Sequence, residues 1–246
     1  MHRKTAITMA APRLLSAPLH DMVPPIHPLL NHMPQRLRVF LMCIGLLVAG
    51  LGGAQAHPHV WVTMKSEVVY APDGTITGVR HAWSFDDMFS AFATQGLETK
   101  QKGVFTREDL APLAQVNIDS LKDFDYFTYA RANGKKTEFD PPVDYWLEYK
   151  DEVLTLHFTL PFKVPVAAKN LDLEVYDPTY FVDFSLAEKD PVALVNAPKQ
   201  CNLATAAPGS GAASNGAPVN EQFFNSLDQG SNYGAQFANK ISVKCP

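Results

Sequence analysis

The sequence predicts an α+β fold of mostly antiparallel strands and hairpins with two central helices. Three observations predict it. Short runs of alternating apolar and polar residues recur from residue 57 to 190, as half-buried strands require. Turn dipeptides, Asp73-Gly74 and Asn133-Gly134, punctuate those runs. The two long helical patterns fall together, between Ser84 and Leu121.

The segment before His57 stands apart. Arg36 and Arg38 give a basic start, and Val39 to Gly53 is apolar but short for a membrane span. Ala54-Gln55-Ala56 places small residues at both recognition positions of a signal peptidase. Residues 1–56 therefore read as a cleavable signal peptide and leader, and the protein as periplasmic. The Pro- and His-rich stretch before Arg36 reads as an extended leader, or as sequence upstream of a better start at Met33. Residues 57–190 form the expected α+β domain and 191–246 a low-complexity tail.

Val60, Val62 and Met64 alternate with Trp61, Thr63 and Lys65 in a first strand from His57 to Tyr70. Thr75 to Trp83 returns beside it. Ser84 caps a helix running to about Gln95, with acids in its first turn and Gly96 as its stop. Thr106 to Asp109 caps a second helix, whose Leu110, Leu113, Val116 and Leu121 are expected to face inward, with a possible kink site at Pro112. Phe124 to Arg131 reads as an aromatic core strand. Val143 to Lys150 and Glu152 to Leu160 read as a hairpin, and Pro161 to Asn170 as a linker. Leu171 to Tyr176 and Tyr180 to Leu186 read as strands joined by an Asp177-Pro178-Thr179 turn. In the tail, Ala204 to Ala217 cannot pack a core, Asn220 caps a short helix through Leu227, and Ile241 to Lys244 is a last strand.

The formal charge of −4 and the lack of basic residues interleaved with aromatics exclude a nucleic-acid partner. Cys43 is lost with the leader. Cys201 and Cys245 remain as an even pair in an exported chain and are expected to form a disulfide.

His57 and His59 are one residue apart, so a strand projects both from one face. Imidazole suits divalent zinc, copper, nickel and cobalt. A chain cut before His57 adds a free α-amine that chelates with its own imidazole. Pro58 lacks the amide proton that the usual amino-terminal copper–nickel motif gives up. Asp87 and Asp177 serve either as further oxygen donors or as helix-capping and turn-holding acids, and Asp86 and Asp183 are open to the same two readings. His81 and His157 read as structural. The stretch from Glu98 to Asp109 has the glycine spacing of a calcium loop, but Lys100 and Lys102 occupy ligand positions, so no calcium is expected. Ser90 and Ser120 lack nucleophile-elbow glycines, and neither HExxH nor a phosphate-binding glycine loop is present, so no enzyme is expected.

Four motifs in order carry a family resemblance: His57-Pro58-His59-Val60-Trp61, the run Trp83 to Ser90, Phe124 to Tyr129, and Tyr176 to Phe184. Over about His57 to Leu186 the chain resembles the DUF1007 family of exported proteins. The resemblance implies a periplasmic accessory of an ABC-type nickel–cobalt or zinc transport system, with a metal ion and an inner-membrane permease as partners. Together these readings give a divalent-metal-binding protein with His57, His59, Asp87 and Asp177 as candidate ligands. Two alternatives stay open: a transporter interaction module that binds no metal, and a copper protein using an amino-terminal histidine brace.

Overall fold

The computed structural model describes residues 34–35, 58–99, 101, 103–208 and 232–246. The chain divides into two compact units, Met1–Ala54 and Gln55–Pro246, and every element named here lies in the second. Among the described residues that unit contains two sheets and two α-helices.

The first strand, β1 (Val60–Tyr70), buries Val60, Val62 and Met64 and turns Trp61, Thr63 and Lys65 outward, as the alternation predicts. β2 (Ile76–Phe85) returns antiparallel to it. The sheet grows outward from this pair through β6 (Val153–Val166) and β5 (Val143–Lys150) on one side. On the other side β8 (Val182–Leu186) and β9 (Val192–Val195) both pair with β1. These last two run parallel to β1, so the sheet is mixed rather than antiparallel throughout. The second sheet is antiparallel in the order β10 (Asn202–Ala206), β11 (Asn239–Lys244), β7 (Asn170–Val175), β3 (Thr128–Ala132), β4 (Lys135–Thr137).

Several local signals act where expected. Asn133 and Gly134 turn the β3–β4 hairpin with φ of 49° and 77°, the left-handed pair a tight two-residue turn needs. Thr106 caps α2 (Arg107–Leu121) in a reciprocal box with Asp109, and the helix runs through Pro112 as one element. Leu110, Ala114 and Ile118 are its buried face, whereas Val116 is exposed. α1 (Asp87–Ala93) begins later than expected. Ser84 stays in β2, with its hydroxyl 2.9 Å from that of Thr155, so Asp86 becomes the cap.

Other expectations give way to long-range pairing. The proline-bearing stretch after Leu160 continues β6 to Val166 instead of forming a linker. Thr205 and its neighbours, read as unable to pack, form the edge strand β10. The helix expected at Asn220 lies outside the described residues. β11 is not an appendage: Ile241 and Val243 are buried between the sheets. Beside it Cys201 and Cys245 are bonded across a separation of 44 residues. Closing a loop of that size confers on the order of 4 kcal/mol in the chain-entropy model.

One half of the first sheet's inner face packs against α2 and the 3₁₀ segment that follows it, around Trp83, Leu110, Leu156 and Phe158. The other half packs against the second sheet, around Val68, Ile76, Leu173 and Ile241. His81 sits between the halves. Its Nδ1 is 2.9 Å from Ser66 Oγ and its Nε2 is 3.3 Å from Thr128 Oγ1. The Thr128 hydroxyl donates to the Tyr126 carbonyl, so it accepts from His81 Nε2–H, and Nδ1 accepts from Ser66. One neutral imidazole thereby ties β1, β2 and β3 together.

Candidate functional site

Three segments far apart in sequence meet at the start of β1. The His59 amide donates to the Phe181 carbonyl at 2.9 Å. Asp86 and Trp61 are joined twice: the Asp86 amide donates to the Trp61 carbonyl, and the Trp61 amide donates to Asp86 Oδ2, both at 2.9 Å. Asp86 Oδ1 meanwhile accepts from the Phe89 amide and caps α1. One carboxylate therefore fixes the helix to the strand.

The candidate ligands take different places around this junction. His57 lies outside the described residues. His59 is exposed, its ring centroid 4.7 Å from that of Phe181. Asp87 is exposed on the first turn of α1 and accepts from the next amide, that of Met88, at 2.9 Å. Asp177 is buried. Its Oδ1 takes the amide and hydroxyl of Thr179, and its Oδ2 takes the Val182 amide. That carboxylate holds the crossing from β7 in one sheet to β8 in the other. Asp183, opposite Trp61 in the parallel ladder, is half-buried, and burial raises its carboxyl above the usual range. Among the described residues no three or more His, Cys, Asp or Glu side chains cluster closely enough to hold a metal ion. Lys100 and Lys102 of the calcium-like loop lie outside the described residues, and Asp109 closes the α2 capping box.

The far side of the second sheet carries a groove that the sequence reading treated as core. Its volume is about 710 Å³. Tyr129 and Tyr176 lie in it with ring centroids 4.7 Å apart. Burial, with the neighbouring Tyr176 phenol and the Asp125 and Asp177 carboxylates behind it, raises the Tyr129 phenol, which stays protonated at physiological pH. The strand expected from Phe124 starts only at Thr128. Before it, Asp125, Tyr126 and Phe127 have φ of 51°, 53° and 50°. Three successive non-glycine residues in the left-handed region cost roughly 1–2 kcal/mol each. The turn buries Tyr126 and Phe127 and leaves Asp125 exposed in the lining of the groove. No glycine or asparagine signals this turn, which is why an aromatic strand was expected.

The carboxy-terminal segment closes over the Asp177 turn. Gly234 donates to the Pro178 carbonyl at 2.8 Å, and a Cβ at Gly234 would collide with the Asp177 carbonyl. Phe237 stacks on Tyr180 at 3.8 Å, and the Tyr176 hydroxyl donates to Asn232 Oδ1 at 3.0 Å.

A family model described as "Protein of unknown function (DUF1007)" matches residues 42–245. The chain belongs to the DUF1007 family. An "Uncharacterized protein" of Haemophilus influenzae is 23% identical over 221 residues, 85% of this chain and 100% of its own length. An "Uncharacterized 15.5 kDa protein in trpE 3'region" of Spirochaeta aurantia is 33% identical over 93 residues, 37% of this chain and 66% of its own length. The DUF1007 match extends well past Leu186, where the quoted motifs end. The fold accounts for the difference, because β11 completes the second sheet of the DUF1007 unit from the far end of the chain.

Proposed function

We propose that this DUF1007 protein is a periplasmic accessory of divalent-metal transport. It takes nickel, cobalt, zinc or copper at His57 and His59 and passes the ion to a membrane permease. The observation that supports this reading is the exposed His59 imidazole at a junction where three of the resemblance-bearing motifs are hydrogen-bonded together. Imidazole is a good donor to each of these ions. An open surface site suits an ion that must leave again, whereas a caged one would retain it. Asp87, exposed at the same junction, is the auxiliary oxygen donor. Asp177 drops out of the ligand set because both its oxygens are engaged in the turn.

Three proteins test this: one starting at His57, one with an added alanine before His57, and His59→Ala. Each is titrated with nickel, zinc and copper. The first should bind one ion. The extension should bind more weakly, because it converts a chelating amine to an amide. His59→Ala should weaken binding in both backgrounds. Affinity should fall as pH drops, because protons compete with the ion for the amine and imidazole nitrogens. Equal binding by all three sinks the site.

A second reading, an assembly module that binds no ion, is favoured by the apolar side chains exposed near the same junction. Trp61 is 45% exposed, Phe181 46%, Met88 70% and Phe92 73%. Solvent-facing apolar side chains in such number suit a protein partner. Stoichiometric metal binding decides between the two readings.

A further inference from the structure

A second, smaller pocket lies between β8 of the first sheet and the start of β11 in the second. β8 ends its sheet, and among the described residues its outer edge pairs with no strand. The 3₁₀ turn Tyr233–Phe237 leads into β11 and supplies part of the facing wall. The pocket holds about 370 Å³ and is walled by Tyr180, Asp183, Leu186, Pro208, Phe237 and Asn239, among others. Tyr180 and Phe237 stack at 3.8 Å, so one wall is aromatic.

The polar groups of this wall want a donor. Asp183 is half-buried, and among the described residues no hydrogen bond or ion pair engages its carboxylate. No described lysine, arginine or histidine lines the pocket. A charge taken part-way out of water without a partner is costly, and a bound cation offsets that cost. The Asp183 charge joins burial in raising the Tyr180 phenol, which puts the two side chains within electrostatic reach. Asn239 is fully buried and donates through Nδ2 to the Phe184 carbonyl at 2.6 Å, while its Oδ1 has no partner. That oxygen adds partial negative charge to the same wall.

We propose that this pocket binds the primary ammonium group of a small amine. The ammonium meets the Asp183 carboxylate and the aromatic wall of Tyr180 and Phe237, and its alkyl chain lies on Leu186 and Pro208. Cations are attracted to aromatic faces. An ammonium with N–H donors also makes charge-assisted hydrogen bonds to a carboxylate, which a quaternary head cannot. A divalent metal ion fits less well, because Asp183 is the only charged ligand among the described lining residues. The volume is at the small end of the usual range for ligand sites. The pocket includes neither His57 nor His59, so this inference and the metal reading fail separately.

The test follows backbone amide resonances of the purified protein at neutral pH with three probes: n-butylamine, n-butanol and tetramethylammonium. Millimolar n-butylamine should shift Asp183, Ser185 and Phe237 in a saturable way. n-Butanol, which lacks the charge, and tetramethylammonium, which lacks the N–H donors, should each bind at least tenfold more weakly. Asp183→Asn should bind the amine no better than the alcohol. The comparison of probes on the unaltered protein needs no variant to fold. Equal affinity for amine and alcohol overturns the proposal, as does tetramethylammonium binding as tight as the amine. So does an Asp183→Asn variant with undiminished amine affinity, or the absence of shifts at these residues.

Discussion

His81 makes this protein's stability depend on acid. Burial pushes its imidazole down to about 3, far below the ordinary value near 6.5, because the charged form would lose its water. A depressed histidine stabilises the fold fully above the unfolded pKa and loses that contribution as pH falls. Between about pH 6.5 and pH 3 the loss approaches 1.4 kcal/mol per pH unit, on the order of 4–5 kcal/mol in all. His157 adds to it in the same direction. Its pKa is lowered by burial against the opposing pull of Glu148, and its ring lies flat on Trp146 at 4.0 Å. Asp183 works the other way, since its raised carboxyl gains from protonation. Urea unfolding from pH 7 to pH 4 should therefore show a steep fall for the unaltered protein. His81→Gln, which carries no titrating ring, should show a flatter one from a lower start. Equal slopes would mean that His81 is not the group responsible.

Among the elements, α1 is the one most dependent on a single side chain. Asp86 caps it and also accepts the Trp61 amide, so Asp86→Ala should cost about 1–3 kcal/mol, above the ~1 typical of a lost cap alone. Asp86→Asn keeps a capping oxygen but has only one acceptor, so its denaturation midpoint should fall between the other two. An alanine variant as stable as the native protein would show that the tie to β1 carries no energy. The sequence made such local devices legible: the α2 capping box, the Asn-Gly hairpin and the outward Trp61 all follow from neighbours in the chain. It did not distinguish Asp86 from Ser84 as the cap, because that choice depends on Thr155 holding Ser84 in the sheet. His59 was legible as an exposed imidazole at the start of β1. The groove was not, because Tyr129 and Arg131 face outward only once the left-handed turn has set the phase of β3.

At the scale of the molecule, the first sheet is built around the first strand and the second encloses the last. β1 has β8 and β9 as partners on one side, and β11 lies between β7 and β10. Periodicity found these strands but could not assign their neighbours, since each pairing joins residues more than a hundred positions apart or bridges the stretch from 209 to 231. A chain ending at Ala238 should lack a cooperative unfolding transition, because β7 and β10 would have no common partner. Cys201→Ser with Cys245→Ser should keep the transition and lower it by up to about 4 kcal/mol. A truncated chain that still unfolds cooperatively would show the second sheet to be dispensable. The placement of β11 also sets a timetable. A polypeptide emerging amino terminus first holds the free edges of β7 and β10 open until β11 follows, and exposed strand edges invite wrong pairings. Cys245 directly follows β11 and Cys201 directly precedes β10, so the disulfide joins the ends of that strand pair. The vulnerable interval thus runs from the emergence of β7 to that of β11, and its length is governed by the stretch of chain between them.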